Sequence, residues 1–341
     1  MKEYSYLKKM LLRELGENSR VSVTNLAKKL KCSRSTVISN LKSLEKELGL
    51  SYTVEFNKGA LGLEQRHMWR VKFGKKPTLQ EINDIFKNDE MVQFVALTEG
   101  DFDLFLDIVV ESGDAYAEWA VSTAAKLLPF KPELFPSMIA FSHTGFIPVP
   151  NDVLEHINIK TSKLDALDIR ILTLLNANSR RSYRQIAREL KEHVETVRYR
   201  MRRLGEMDLI RRYSTVMIKP PKDYLVLFFV NYKLSPGIMG RAAEAQHYYE
   251  SADGSLPIVN KFQYLSLVSG SDILFGFGCF ENEEEAIKDV VVAHKNIYNE
   301  DEPTIHFAAI KNVIKGQLAI RNIDIAKDFR PLRSAVGKKQ L

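Results

Sequence analysis

The chain has 341 residues, of which 45% are hydrophobic and 27% charged, and its formal net charge is +6. This length is enough for about two to four domains, and the apolar fraction excludes a chain that is disordered throughout. We expect a cytoplasmic protein, because no apolar run approaches the roughly 20 residues that span a bilayer, the first 12 residues lack a signal-peptide pattern, and Cys32 and Cys279 form no metal-like or redox-like pair.

Charge alternates along the chain in large blocks. Residues 1–76 carry a net charge of +10, residues 77–159 carry −11, residues 160–219 carry +8, and residues 220–341 carry −1. Two basic blocks, each followed by an acidic or neutral block, indicate two modules that bind a polyanion and two modules with another role.

The two basic blocks contain an internal repeat. Residues 17–47 align with residues 177–207 at a constant offset of 160, without a gap, and ten of the 31 positions are identical. A match at one fixed period indicates a duplicated unit.

The first copy, residues 1–60, predicts three helices and a β wing. Apolar residues at helical spacing define the helices: Leu11, Leu12, Leu15, Leu26, Ala27, Leu30, Val37, Leu41 and Leu44. Ser33 is the predicted N-cap of the third helix, and residues 50–56 alternate as a strand. The outward face of the third helix presents Arg34, Ser35, Ser39, Asn40 and Lys42.

Residues 65–147 predict an α+β domain with the order βαββαβ. Its strands are expected at 67–73, 91–97, 102–110 and near 137–141, and its helices at 78–87 and 115–128. The turn between the second and third strands contains Gly100, Asp101 and Asp103. These residues either belong to an effector site or provide the geometry of a tight hairpin. Residues 148–162 are predicted to be a linker.

The second copy, residues 163–219, repeats the three-helix pattern. Ser182 and Gln185 form a predicted capping box, and Val194, Val197 and Met201 begin the apolar face of the third helix. The outward face of that helix presents Thr196, Arg198, Tyr199, Arg200, Arg202 and Arg203. Further contacts to a polyanion are expected from Arg180 and Arg184, and from Arg211 in a wing at 210–218.

A second βαββαβ domain is predicted at residues 220–316. Its strands are expected at 224–234, 258–268, 273–280 and 304–314, and its helices at 238–249 and 283–298. Gly270 and Asp272 lie in the turn that corresponds to the first effector candidate. Residues 317–341 are predicted to be a tail with a mobile basic end.

The third helix of each copy has the composition of a helix that reads double-stranded DNA. Such a helix fits the major groove, where Arg recognises guanine and Asn recognises adenine, while the remaining cations bind phosphates. A single basic helix is usually a solvated surface, but the duplication favours DNA. We expect Arg198→Ala and Arg200→Ala each to weaken specific binding by roughly 1–3 kcal/mol.

Several short motifs resemble the Lrp/AsnC family of transcription regulators. The matching positions are Leu164, Asp165, Asp168, Asn178, Arg180, Ile186, Ala187, Thr196, Val197 and Arg200. Two departures stand out: residues 191–193 read Lys-Glu-His where the family often has Gly and a capping Ser, and the first copy lacks the aspartate pair. This second departure leaves open whether the first helix-turn-helix binds DNA as well as the second.

The resemblance implies an α+β fold in which two winged helix-turn-helix domains alternate with two ferredoxin-like sensor domains of the RAM type. It further implies a small effector such as an amino acid, and either a homo-oligomer or an intramolecular pseudo-dimer. No cofactor, metal or membrane partner is expected.

Two other functions remain open at the sequence level. Enzymes of related fold decarboxylate tetrapyrroles, but their His-Asn-Tyr type of segment is missing and the seven histidines show no metal-ligand spacing, so an enzyme is not expected. An architectural chromatin protein would also use basic blocks, and genome-wide footprinting would distinguish it by broad coverage. An RNA-binding role lacks identifiable aromatic pairs on a sheet.

Overall fold

The computed structural model describes residues 5–63, 65–144, 147–157, 164–217, 224–231, 262–270, 274–298 and 304–318. The predicted helix at 238–249, the candidate Asp272 and the tail from residue 319 lie outside these ranges. Within them, no helix is both long enough and apolar enough to cross a membrane.

Residues 6–56, here named the first head, form three helices and one strand. These are α1 (Tyr6–Glu17), α2 (Val23–Lys29), α3 (Arg34–Leu48) and β1 (Leu50–Phe56). A serine begins each helix: the side chains of Ser5, Ser22 and Ser33 accept a hydrogen bond from a backbone N–H in the first turn, which satisfies a donor that has no partner within the helix. The predicted N-cap at Ser33 is confirmed.

Residues 166–217, the second head, repeat this arrangement. They form α7 (Ala166–Ala177), α8 (Tyr183–Leu190), α9 (Val194–Glu206) and β6 (Ile210–Met217), and a short helix α6 (Asn151–Glu155) precedes them. The capping box of Ser182 and Gln185 is present as predicted. Asp165 and Asp168 form a second capping box at the start of α7.

The strand at the end of each head does not form a separate wing. β1 pairs with β6 in an antiparallel two-stranded sheet. Leu50 pairs with Met217, and Ile210, its counterpart at the offset of 160, pairs with Phe56. The prediction of one wing for each head was therefore wrong, because within the described ranges each copy supplies one strand to this sheet and the partner copy satisfies its backbone groups.

The other strands lie in two segments in which strands and helices alternate, here named the first and second barrel halves. The first barrel half contains β2 (Gln65–Phe73), α4 (Leu79–Phe86), β3 (Val92–Gly100), β4 (Leu104–Val110), α5 (Gly113–Leu127) and β5 (Pro132–Thr144). The second barrel half contains β7 (Tyr224–Asn231), β8 (Phe262–Gly270), β9 (Leu274–Phe280), α10 (Glu283–Tyr298) and β10 (Thr304–Lys315).

These eight strands close into one barrel with the order β10-β3-β4-β2-β5-β8-β9-β7, and every neighbouring pair is antiparallel. Within each half the last strand lies beside the first, and the second strand lies at the opposite edge. Two seams join the halves, β5 with β8 and β10 with β3. Each seam pairs the last strand of one half with the second strand of the other, so closure leaves neither half with an open edge.

The heads complete their apolar cores with residues from the other copy. The core of the first head includes Met217 from β6 and Cys279 from β9. The core of the second head includes Val54 from β1 and Val109 from β4. Burial of these side chains from water is the main force that holds such a core together, so each head is stabilised by a segment that is distant in sequence.

The segment predicted as a linker at 148–162 contributes to this packing. Val149, Val153, Leu154 and Ile157 are all buried in the core of the second head. Asn176 of α7 donates to the backbone oxygen of Val149 over 2.8 Å. The described part of this segment is therefore packed structure rather than an exposed connection.

A partly buried polar chain connects Lys58, which lies just after the first head, to the barrel. Lys58 Nζ donates to Gln93 Oε1 over 2.8 Å, and Gln93 Nε2 donates to Asp107 Oδ2 over 2.6 Å. Arg66 binds the same carboxylate through two hydrogen bonds of 2.7 and 2.6 Å. Burial, together with the positive charge of Arg66, lowers the pKa of Lys58 well below its usual value. A network of this kind fixes the position of the head on the barrel.

Candidate nucleic-acid interface

The third helix of the second head, α9, is positioned by its apolar face and by the turn before it. Val197, Met201 and Leu204 are buried against α7 and α8. The turn is made by Lys191, which has a left-handed backbone with φ of 58°. Lys31, its counterpart in the first head, has φ of 51°. A lysine thus occupies the left-handed position where glycine is preferred, and the departure from the family pattern leaves the turn intact.

Four residues of α9 form an exposed stripe. They lie at positions i, i+3, i+4 and i+7, which share one face of a helix: Glu195, Arg198, Tyr199 and Arg202. Their charges are held close to the helix by local contacts. Arg198 Nη1 lies 2.9 Å from both carboxylate oxygens of Glu195, and the Arg202 guanidinium lies 5.8 Å from the centre of the Tyr199 ring. Exposed pairs of this type are weak and exchange readily for a stronger partner.

Arg200 and Arg203 do not belong to this stripe. Arg200 forms ion pairs with Asp165 and Asp168, and Arg203 forms one with Asp168, whose side chain is fully buried. Burial alone would raise the pKa of Asp165, but hydrogen bonds from the Asp168 backbone and from Arg200 outweigh it and lower that pKa below its ordinary value. These two arginines therefore dock α9 onto α7, and the structure does not bring Arg200 to the outward face that the sequence pattern suggested.

The first head replaces this ion-pair cluster with a different one. Lys8 lies at the position of Asp168, and its Nζ donates to Ser43 Oγ over 2.7 Å and to Glu47 Oε1 over 3.0 Å. The sign of the first-helix charge at this position is thus inverted between the copies. This explains how the first copy holds its third helix without the aspartate pair of the family.

The third helix of the first head, α3, presents a largely uncharged stripe. Ser35, Ile38, Ser39 and Lys42 are all exposed. Ile38, which was not among the predicted site residues, is 42% exposed. Asn40, a predicted site residue, instead donates its side-chain amide to the backbone oxygen of Thr36 over 2.8 Å.

The two heads contact each other around a near two-fold axis. Ser19 and its counterpart Ser179 are joined by a hydrogen bond of 2.6 Å between their hydroxyl oxygens. Arg180 donates to the backbone oxygen of Ser19 over 2.9 Å, and its counterpart Arg20 donates to the backbone oxygen of Ser179, the counterpart of Ser19. Arg180, predicted as a polyanion contact, is therefore engaged between the heads and also lies 5.1 Å from the centre of the Tyr52 ring.

The remaining basic candidates are distributed over both heads. The predicted contacts Arg34, Arg184 and Arg211 are exposed, and so is the neighbouring Arg188, while the uncharged candidate Thr196 is half-buried. Arg34 lies at the start of α3, Arg184 and Arg188 lie on α8, and Arg211 lies on β6. Their guanidinium groups are therefore accessible to a phosphate backbone.

Gly100 and Asp101 lie at one seam of the barrel, whereas Asp103 contacts β2 within the first half. Gly100 pairs with Ala308 of β10 and has φ of 141°, and a Cβ there would lie 2.4 Å from the Phe307 carbonyl oxygen. Asp101 accepts from the Phe307 backbone N–H over 2.8 Å. Asp103 accepts from the Phe73 backbone N–H over 3.0 Å. These contacts support the hairpin interpretation of the motif.

Gly270 occupies the corresponding place at the second seam, where it pairs with Ser137 of β5. Among the residues that the structure describes, no group of three or more His, Cys, Asp or Glu side chains is placed to hold a metal ion.

Comparison with known proteins identifies both heads. Residues 164–205 match the AsnC-type helix-turn-helix domain, and residues 8–63 match a helix-turn-helix domain. An HTH-type transcriptional regulator of Methanocaldococcus jannaschii is 49% identical over 47 residues, 14% of this chain and 32% of that protein. The chain thus spans about a third of the length of this relative.

Two further similarities cover more sequence. An uncharacterized HTH-type transcriptional regulator of Pyrococcus furiosus is 28% identical over 112 residues, 33% of this chain and 69% of that protein. The crystal structure of the siroheme decarboxylase NirDL matches 94% of this chain and 95% of its own with a TM-score of 0.55 at 13% identity, which shows a shared fold. The resemblance to the Lrp/AsnC family is confirmed: the chain carries two helix-turn-helix domains, and the second is of the AsnC type.

Proposed function

We propose that the protein is a transcription regulator that binds specific sites on double-stranded DNA with both heads. The observation that carries the proposal is the exposed stripe of α9, which places Arg198 and Arg202 on the outward face of the third helix in an AsnC-type domain. Arg is the residue that most often recognises guanine in the major groove. The relatives named as HTH-type transcriptional regulators support the same function.

We further propose that the chain is an intramolecular pseudo-dimer of two units. Each unit would combine a helix-turn-helix domain, at 1–60 or 163–219, with a ferredoxin-like domain, at 65–147 or 220–316. The strand order in each half of the barrel and the near two-fold contacts of Ser19 with Ser179 support this organisation. Paired recognition helices favour half-sites about 10 bp apart, or a multiple of that spacing.

The barrel is the proposed sensor, on the resemblance to the Lrp/AsnC family. An amino acid is the proposed effector, and its binding would raise the thermal midpoint of the protein by mass action. On this proposal the protein is a cytoplasmic regulator and not an enzyme.

The second candidate function is a tetrapyrrole-modifying enzyme, because the likeness to NirDL extends over almost the whole chain. The two candidates predict different spectra. An enzyme of this kind purified with its substrate or a related tetrapyrrole would absorb visible light, whereas a regulator would show protein absorption alone and would shift a DNA probe.

Arg198→Ala tests the base contact of the second head. Loss of a bidentate contact to guanine should weaken specific binding by roughly 1–3 kcal/mol and relax the preference at one base pair. Fluorescence anisotropy with specific and scrambled duplexes measures both effects. Arg170→Ala is the matched control, since Arg170 is an exposed arginine of α7 outside the stripe. Equal affinities for Arg198→Ala and the control would contradict the assignment.

Salt dependence tests the phosphate contacts. The logarithm of the binding constant should fall linearly with the logarithm of salt concentration, with a slope of about −0.9 for each neutralised phosphate. Arg184→Ala should make that slope less steep by about one and weaken binding to all sequences alike. A binding constant that does not change between low and moderate salt would rule out phosphate contacts as the source of affinity.

A further inference from the structure

The duplication allows the two recognition helices to be compared position by position. The exposed stripe of α3 is Ser35, Ile38, Ser39 and Lys42, and the stripe of α9 is Glu195, Arg198, Tyr199 and Arg202. Each residue of one stripe lies 160 positions from its counterpart in the other. None of the four pairs is identical, although ten of 31 positions in the surrounding repeat are.

The two heads that carry these stripes are related by a near two-fold axis. The axis passes near the hydrogen bond between Ser19 and Ser179, and the ladder of β1 with β6 preserves the same equivalence. Lys31 and Lys191 give both turns a left-handed residue just before the third helix. Counterpart residues of the two stripes are therefore held in equivalent places, and should meet equivalent base pairs of the two half-sites.

We propose that the two heads read unlike half-sites, so that the protein recognises an inverted but non-palindromic site. This inference rests on the proposed function. The second head selects guanine through Arg198, and the first head selects thymine through Ile38 at the equivalent base pair.

Arg198 and Ile38 favour different bases because their side chains differ in hydrogen-bonding capacity. An arginine at this position donates two hydrogen bonds to O6 and N7 of guanine. The isoleucine has no donor or acceptor, so its only specific partner on a base edge is the C5-methyl group of thymine. Ile38 is 42% exposed in the free protein, and contact with a methyl group would remove part of that apolar surface from water.

The other positions of the two stripes also differ in the contacts that they can make with bases. Tyr199 is 54% exposed beside Arg198, whereas its counterpart Ser39 is small and uncharged. Glu195, which pairs with Arg198 in the free protein, is able to accept a hydrogen bond from the amino group of cytosine when the arginine turns to DNA. Ser35 in the first head instead contacts the capping Ser33 over 2.7 Å.

The first test is selection of bound duplexes from a random pool. The wild-type chain should enrich a site with two unlike halves, one with guanine and one with thymine at the equivalent position. A variant with Ser35→Glu, Ile38→Arg, Ser39→Tyr and Lys42→Arg should enrich a palindrome of the guanine half-site, because its two stripes are then identical. A wild-type palindrome, or an unchanged consensus for the variant, would overturn the inference and leave the proposed function standing. No enriched sequence with either protein would overturn both.

The second test isolates the methyl contact and uses substitutions that leave the heads folded. Replacement of the selected thymine by uracil should weaken wild-type binding about fourfold, the effect expected for one methyl-sized apolar group. It should leave the affinity of Ile38→Ala unchanged. Val121→Ala, at a 73% exposed apolar position of α5, should respond to uracil like the wild type. Equal sensitivity of Ile38→Ala and the wild type to uracil would refute the contact.

Discussion

Replacing Asp168 by alanine should destabilise the second head by about 3 kcal/mol, which is the lower end of the range for breaking a buried ion pair. The carboxylate is fully buried and pairs with Arg200 and Arg203. Without it, Arg203 loses its acceptor beside an apolar core, and Arg200 keeps only its ion pair with Asp165. The lower end applies because these arginine side chains keep 22% and 31% of their exposure to water.

Amide hydrogen exchange measures this effect locally, which is appropriate for a chain with several units. Protection of α7 and α9 amides should fall, while protection of the first head should change little. Glu192→Ala is the matched control, since Glu192 is an exposed acid in the turn before α9. A second variant, with Asp168→Leu, Arg200→Met and Arg203→Met, should recover much of the loss, because it removes the buried carboxylate together with both arginines and leaves only Asp165, which is 49% exposed, without its arginine partner. Unchanged protection in Asp168→Ala would show that the cluster does not dock α9.

Gly100→Ala should weaken the seam between β3 and β10 by about 3 kcal/mol. The glycine has φ of 141°, a region that other residues rarely adopt, and its new Cβ would lie 2.4 Å from the Phe307 carbonyl oxygen and 3.0 Å from the Ala308 Cα. Both neighbours are backbone atoms of the paired strand, so the clash is relieved only if the strands separate. The thermal midpoint and the protection of β10 amides should both decrease.

Gly205→Ala should change the stability of the protein in the opposite direction. Gly205 lies within α9, and a Cβ there would have no neighbour within 4 Å. Alanine should therefore stabilise the helix by about 0.5–1 kcal/mol through lower backbone entropy of the unfolded chain. If both glycine variants shifted stability in the same direction, the close approach at the seam would not be the cause.

The bounds of individual helices were predicted well from the sequence. The helices at 283–298 and 78–87 agree with α10 and α4 to within a residue at each end, since periodic apolar residues and capping side chains act over a single turn. The serine caps of the heads were predictable for the same reason. The AsnC-type character of the second head also followed from short motifs.

Pairing between distant segments did not follow from the sequence. Nothing in residues 50–56 or 210–218 distinguishes a hairpin wing from a strand that pairs with the other copy, because both alternate apolar and polar residues. The sequence was equally ambiguous about which arginines of α9 face outward. Arg198 and Arg200 differ by two positions on α9, and only the location of Asp168 on α7 decides which one turns inward. Tertiary contacts of this kind are outside the reach of spacing arguments.

The exchange of core residues between copies has a consequence for how the protein assembles. A regulator made of two separate chains holds its DNA-reading pair together only above the dissociation constant of the dimer. Here the partner surfaces of β1 and β6 and of the two barrel seams are on one polypeptide, so their association is unimolecular and is governed by an effective local concentration. The two heads therefore stay associated on dilution to a few copies per cell. On the proposed function, the two copies are also free to diverge in the DNA that they bind, because neither must pair with an identical twin.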